Sequence, residues 1–351
     1  MMTFLISNSG RGWSRLFLWL VLEPDEMFQH MNKDLLISII ICTHNRSADV
    51  SDCVGALIPL IGRQAEVILV DSASDPNDRT ELTKLAMLYS VVKLTRVEEP
   101  GLSRARNCGV NLATGEWVVF LDDDAVPFPD WLENLLAAVS AASPTQAVIG
   151  GGIYPRWPDG TSGEHLSKRW KIFLSLAEAD EPGSVMDGYA VHGANYAIRR
   201  RVLLDIGGFP ERLGRVGASL ISGDDSLVTQ SILDAGLGAG FDPSFKVYHK
   251  ISRERLKISW IVRRSFWEGF SSIRTFRLRE QPLPPHLRPA KLVVSLPFLL
   301  VLSIVHFQNH DWKMRLAMCI GACVSLAATG HRRSDLSAGT WEAAGRPGDP
   351  N

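Results

Sequence analysis

Three aspartates in a row, Asp122, Asp123 and Asp124, close an apolar run in the segment FLDDDAVPFPDWL (Phe120 to Leu132). Like charges side by side repel, and a buried carboxylate is costly without a cation to answer it. A carboxylate pair held at a strand end suits Mg2+ or Mn2+, which take oxygen ligands and often bind through one or two carboxylates plus substrate phosphates. Taken alone, the triplet fits a solvated acidic turn as well. A second acidic pair, Asp224 and Asp225, stands where the stretch SLVTQSILDAG begins a helix. There the macrodipole favours ionised carboxylates, as a general base requires. Aspartate is equally a preferred N-cap, so capping and chemistry can be divided between the two. His249 ends the run FKVYH, which by itself fits a strand-end histidine satisfied by its neighbours.

The elements that must position these residues alternate. LLISIIICTHNR (35–46), AEVILVDSASDPND, VVKLTRV and EWVVFLDDD read as strands of a sheet covered on both faces. Helices are predicted between them, around Leu82 to Leu88 and through Ala105 to Leu112 among others. Repeated strand–helix alternation argues for an α/β fold with a mixed, mostly parallel sheet and helices on both faces. Ligands bind beyond the carboxyl ends of such strands. The clusters Thr43–Arg46, Asp71–Asp75 and Asp122–Asp124 should therefore converge on one crevice. From Gly150 the pattern loosens, and GGIYPRWPDGTSGEH reads as turn-rich. A short strand and a helix ended by Gly207-Gly208 follow, then the helix from near Asp225, closed by Gly236, and a strand ending at His249.

The 351 residues carry 37 basic and 38 acidic side chains, a net charge of -1 that decides nothing about nucleic acid. Five cysteines (Cys42, Cys53, Cys108, Cys319, Cys323), odd in number and without zinc spacing, read as reduced thiols in a reducing compartment. LFLWLVL near the N-terminus is too short to span a bilayer and lacks a cleavage site, so residues 1–34 read as an extension. Arg253 to Arg279 holds eight Lys or Arg against two Glu, interleaved with aromatics, and Val262, Phe266, Phe270 and Ile273 fall at helical spacing. The segment 253–285 thus reads as a basic amphipathic helix at a membrane surface. LVVSLPFLLVLSIVHF and LAMCIGACVSLAA, within 286–330, suit membrane-anchor helices that span, re-enter or lie on the bilayer. Residues 331–351 are polar, rich in Gly and Pro, and expected to be disordered.

From Leu36 to about His249 the chain resembles the inverting family 2 glycosyltransferases, which have the GT-A fold. The likeness rests on SIIICTHNR, VILVDSASD, GLSRARNCGVNLATGEWVVFLDDDAVPFPDWL, GANYAIRRRVLLDIGGFPERLG and GDDSLVTQSILDAG in that order. It implies transfer of a sugar from a nucleotide-diphospho-sugar, with uridine preferred, to a glycan or polyprenyl-linked acceptor. Asp71 would accept a hydrogen bond from the base, and Thr43, Asn45, Arg46 and Ser74 would line the nucleoside. Arg104 and Arg106 would meet the diphosphate, since guanidinium groups suit phosphate oxygens; for Arg104 a surface charge explains as much. Asp124 would ligate Mn2+ or Mg2+ most directly, with Asp122 on ribose or metal, Asp123 beside them in the donor site, and His249 as a further ligand. Asp225 aligns with the family's base, and Asp224 replaces the usual glutamate beside it. His192, Asn195 and Arg199 would lie on the acceptor side. The hydrophobic tail implies a catalytic domain (35–252) at the cytoplasmic face of the membrane, and no nucleic-acid partner is expected.

Two other enzyme classes fit poorly. A nucleotidyltransferase would carry a Gly-rich basic loop after the first strand, and a dinucleotide oxidoreductase a G-x-G-x-x-G there; CTHNRSADVSD has neither. A catalytically silent membrane protein that keeps a sugar-nucleotide pocket is disfavoured by the intact Asp122, Asp124 and Asp225.

Overall fold

The structure, a computed structural model, describes residues 37–185, 191–217, 219–306 and 308–330. The expected extension (1–34) and tail (331–351) lie outside the described residues. In chain order the elements are β1 (Ile37–Thr43), α1 (Ser47–Leu57), β2 (Ala65–Ser72), α2 (Pro76–Leu88), β3 (Val92–Val97), α3 (Leu102–Leu112), β4 (Trp117–Asp122) and β5 (Ala125–Pro127). There follow α4 (Trp131–Ala141), β6 (Gln146–Arg156), α5 (Lys168–Phe173), β7 (Gly183–Ser184), β8 (Asn195–Arg199), α6 (Arg200–Asp205), α7 (Asp224–Asp234) and β9 (Gly238–Lys250). The C-terminal part adds α8 (Ile258–Leu278), α9 (Pro289–Val305) and α10 (His310–Gly330).

Among the described residues the strands form one sheet in the order β3-β2-β1-β4-β8-β6-β9-β5, with β7 also on β9. The block β3-β2-β1-β4 is parallel throughout. β8 runs antiparallel to β4 and β6, whereas β6 and β9 are parallel. Side chains of a strand alternate between faces, and the sequence obeys this. Ile37, Ile39 and Ile41 of β1 with Trp117, Val119 and Leu121 of β4 enter one core, roofed by α1, α2 and α4. Ile40, Val118 and Phe120 enter the other, roofed by α3, α6 and α7. β1 lies between β2 and β4, with Thr43 beside Asp71 and Cys42 beside Asp122. The chain reverses its direction of winding there, which opens the crevice at the carboxyl ends.

Two expectations need correction, and a third is narrowed. The turn-rich reading of GGIYPRWPDGTSGEH holds from Trp157 onward, but its first part, to Arg156, belongs to a largely buried strand, β6, which takes in Gly150, Gly151 and Gly152. A Cβ on Gly151 would stand 2.3 Å from both Asn195 Nδ2 and a Phe245 ring carbon, so the glycine marks close packing and not a turn. The basic segment 253–285 is not a free amphipathic surface either. Its helix α8 buries Trp260, Ile261, Phe270 and Ile273 against the domain and α10. Where α8 crosses α10 the backbones touch: a Cβ on Gly269 would lie 1.9 Å from the Met318 carbonyl oxygen, and one on Gly321 1.9 Å from that of Phe266. Finally, among the described residues no helix is long and apolar enough to cross a membrane. A run of open apolar surface lies on α9, where Val293, Val294, Phe298, Val301, Ile304 and Val305 are each more than half exposed. All five cysteines are free, and burial pushes the Cys42 and Cys53 thiols up, so they pack as small apolar groups.

Candidate active site

A crevice of ≈ 360 Å³ opens at the carboxyl ends of β1, β2 and β4, and its far wall is built by the start of α7 and by α8. β4 ends at Asp122 and the chain turns at once into β5, which aims the three aspartates differently. Asp123 is buried and accepts from Thr43 Oγ1 (2.8 Å) and Arg46 Nη1 (2.6 Å). Burial pushes its carboxyl up to about 7 against the pull of Arg46, with the neighbouring Asp124 adding to the rise. Asp124, also buried, meets His249 Nε2 at 3.0 Å, Arg46 Nη2 at 2.8 Å and Arg255 Nη2 at 3.2 Å. Burial alone would raise its carboxyl, but His249, Arg255 and Arg46 outweigh it and hold the group below the ordinary carboxylate range. The cations that answer the opening triplet within the chain are therefore Arg46, Arg255 and Arg106.

Asp122, Asp124 and His249 each offer a ligand atom, all within 4.8 Å of one another. The donor set, two carboxylates and an imidazole, fits a divalent cation such as Mn2+. His249 is oriented for this. Its Nδ1 is 2.9 Å from the Leu174 carbonyl, which can only accept, so Nδ1 carries the hydrogen and Nε2 turns toward Asp124. Arg255 reaches both groups, with Nη1 3.4 Å from His249 Nε2 and Nη2 3.2 Å from Asp124, so a cation already faces the imidazole and the carboxylate together.

The two aspartates of α7 are separated by their surroundings. The residue before them, Gly223, has φ 93° and supplies the N-cap turn, so neither aspartate is the cap. Asp224 points inward onto Arg106 Nη1 (2.7 Å) and Ser103 Oγ (3.3 Å), and burial raises its carboxyl against the pull of Arg106. Asp225 lines the crevice, accepting from the backbone N–H groups of Gly193 (2.9 Å) and Ser226 (2.7 Å). Although burial works against it, Arg106, His192 and those N–H groups keep Asp225 below the usual carboxylate range, hence ionised. Arg106 ties the two acidic groups together. Its Nη2 is 3.6 Å from Asp122 and 3.3 Å from the Gly193 carbonyl, and its guanidinium lies over the rings of Phe209 and Phe120.

The remaining expected residues divide. Thr43, Arg46 and His192 line the crevice with the acidic groups; His192 Nε2 has no hydrogen-bond partner, and burial lowers its pKa. Asp71, buried at the end of β2, is engaged by Arg96 and by the Ser74 N–H (2.9 Å). Ser74 in turn accepts from the N–H of Asn45, whose φ is 55° and whose side chain binds Asp75. These three knit the β1 and β2 loops together and are not among the residues lining the crevice. Arg104 is outside it, paired with Glu99 and Glu211. Asn195 is fully buried and satisfied by Trp131 Nε1, the Gly152 carbonyl and the Phe245 carbonyl. Arg199 sits beside Trp117 at the start of β4, the opposite end of the sheet from Asp122, held by Glu116 and the Gln146 carbonyl. The acceptor-side expectation for Asn195 and Arg199 is corrected by that placement.

Reasoning from sequence missed Arg255, Arg215, the Gly193 N–H and the α8 residue Glu268; Arg264, which the sequence offered with Arg263 for lipid phosphates or an acceptor diphosphate, does line the crevice. Arg255 and Arg264 lay in the basic run read as membrane-facing. Arg215, set in LGRVG between two glycines, offered a faint signal: a cation on a loop close to the acidic pair.

Residues 38–207 match the family described as Glycosyl transferase family 2. The chain is 28% identical over 246 residues to the glucosyl-dolichyl phosphate glucuronosyltransferase of Haloferax volcanii, covering 67% of this chain and 75% of that one. It is 23% identical to the glycosyltransferase AglE of the same organism (80% and 93% covered) and 27% identical to the succinoglycan biosynthesis protein ExoM of Rhizobium meliloti (68% and 74%). Among solved structures, the mannosyltransferase PcManGT of Pyrobaculum calidifontis, in complex with GDP-Man and Mn2+, superposes with a TM-score of 0.54 at 22% identity, covering 90% of this chain and 93% of that one. That likeness shows the fold, a mixed, mostly parallel sheet of GT-A type.

Proposed function

We propose that this chain, whose residues 38–207 match glycosyl transferase family 2, is a glycosyltransferase that transfers a sugar with inversion from a nucleotide-diphospho-sugar to a hydroxyl of a lipid-phosphate-linked acceptor. The observation that carries the reading is the crevice itself: Asp225, ionised and accessible, shares it with Asp122 and Asp124, while Arg106 links Asp122 to Asp224, the residue next to Asp225. Asp225 takes the proton of the acceptor hydroxyl. The freed oxygen bonds to the anomeric carbon from the face opposite the leaving group, and the nucleoside diphosphate departs with the electron pair. Asp122, Asp124 and His249 would hold Mn2+ or Mg2+, which when bound supplies positive charge against the diphosphate. The Gly193 and Ser226 N–H groups keep Asp225 aimed and charged between turnovers. The donor end runs past Thr43, Ser72 and Gly101. The lipid-phosphate acceptor is inferred from the Haloferax relative, which acts on a dolichyl phosphate conjugate.

The setting we propose is the cytoplasmic face of a membrane. The open apolar residues of α9 are flanked by the exposed cations Arg288 and Lys291, a pairing that suits an anionic lipid surface. Asp225→Asn tests the chemistry. Transfer should fall by at least a thousandfold while binding of UDP with Mn2+ and thermal stability stay near wild type. An Asp225→Asn protein with near-normal turnover would remove the base from the mechanism.

A further inference from the structure

We propose that Arg215 is the phosphate receptor of the crevice, its guanidinium donating to the diphosphate of the bound donor; this rests on the glycosyl-transfer reading above. Five guanidinium groups lie in or beside the crevice. Arg46 is held by Asp49, Asp123 and Asp124, Arg106 by Asp224, and Arg255 by Asp124. Arg264 is held by Glu268 at 2.8 Å and lies over the Phe173 ring. Of these five, among the described residues, only the Arg215 side chain has neither an ion pair nor a hydrogen bond. The arginines that the sequence offered for the diphosphate are committed elsewhere: Arg104 stands outside the crevice on two glutamates, and Arg106 is spent on Asp224.

The main chain at Arg215 is fixed although its side chain is free. The Leu102 N–H at the start of α3 donates to the Arg215 carbonyl (3.0 Å), and Ser103 Oγ donates to that of Leu213 (2.8 Å). Gly214 (φ 87°) and Gly217 (φ 54°) bend the loop on either side, which carries the guanidinium over the crevice. The group is solvent-accessible yet walled by protein. The neighbouring Arg255 and Arg264 repel its charge, and Asp122 and Asp124 attract it. It is still a cation at neutral pH, kept among other cations without a partner. Such a fork is built to receive an oxyanion, and its planar donors match phosphate. It lines the same crevice as Asp122 and Asp124, so an anion bound to it shares that space with the metal clasp. When the bond from the anomeric carbon to the phosphate oxygen breaks, the electron pair stays on that oxygen. The new bond forms from the acceptor oxygen, its proton passes to Asp225, and Arg215 hydrogen-bonds the charge that leaves.

The test is titration of UDP and GDP, with Mn2+ present, into the full chain and into Arg215→Ala and Arg215→Lys, followed by calorimetry. Arg215→Ala should weaken the preferred diphosphate at least tenfold, Arg215→Lys should restore part of that loss, and uridine or guanosine without phosphate should bind all variants alike. Without nucleotide, the thermal midpoint of Arg215→Ala should equal or exceed wild type, because a charge repelled by Arg255 and Arg264 has been removed. Unchanged diphosphate affinity in Arg215→Ala, or equal losses for nucleoside and diphosphate, would overturn the assignment. A lowered midpoint would do the same by showing a structural partner. A wild-type protein that bound neither diphosphate would instead bring down the donor reading, and this inference with it.

Discussion

Replacing Arg106 with methionine should unmask a buried charge, with a penalty set by pH. Arg106 is almost fully buried, with Nη1 2.7 Å from Asp224 and Nη2 3.6 Å from Asp122. Removing one partner of a buried ion pair costs about 3–5 kcal/mol. Asp224, whose carboxyl burial already raises, has an escape: it can take up a proton. For a group with an ordinary pKa of 3.8, protonation at pH 7 costs about 4 kcal/mol, and at pH 5 about 1.6 kcal/mol. In the variant the folded pKa of Asp224 lies above its unfolded value, so the folded protein holds the extra proton. Stability relative to wild type therefore falls as pH rises from about 4 toward that folded pKa. The thermal midpoint should drop by about 5–8 °C at pH 7 and by less than half of that at pH 5. Urea unfolding of wild type, Arg106→Met, Asp224→Asn and the double variant at both pH values measures the effect. The double variant should recover most of the loss at pH 7, since no uncompensated charge remains. A penalty that is the same at pH 5 and 7 and is not relieved by Asp224→Asn would refute the charge argument and leave only lost packing.

Other outcomes follow from particular contacts. Gly269→Ala or Gly321→Ala drives a methyl group into a backbone carbonyl, and either should cost more than about 2 kcal/mol by forcing α8 and α10 apart; unaltered unfolding midpoints would contradict the backbone contact. His249→Ala should weaken Mn2+ binding tenfold or more by electron paramagnetic resonance titration, with the fold retained. Equal affinity would remove His249 from the ligand set. Val294→Asp with Phe298→Asp, on the open face of α9, should reduce co-sedimentation with phosphatidylglycerol vesicles more than tenfold at unchanged thermal stability. Equal partition would exclude that face as the lipid seat.

How far the sequence could be read depended on whether a signal was local. The strand ends at Thr43, Asp71 and Asp122 were legible because a parallel sheet must deliver its polar residues where apolar runs stop. The period-two division of β1 and β4 between the two cores was legible for a similar reason. β6 was missed because its glycines resemble turn formers until Asn195 and Phe245 are seen to press against them. The aromatics of α8 resemble a lipid-facing stripe until α10, arriving from far along the chain, covers them.

The order of motifs, the sheet's alternation and the presence of two acidic groups were properties of the chain itself, since strand period and strand ends are set by neighbouring residues. Which aspartate is locked and which is free, and which arginine is spent and which is available, were decided only by folding. Arg106 meets Asp224 across 118 positions and Arg255 meets Asp124 across 131. A charge's ionisation and availability depend on the partners and burial that such long-range contacts bring, and no local pattern encodes them.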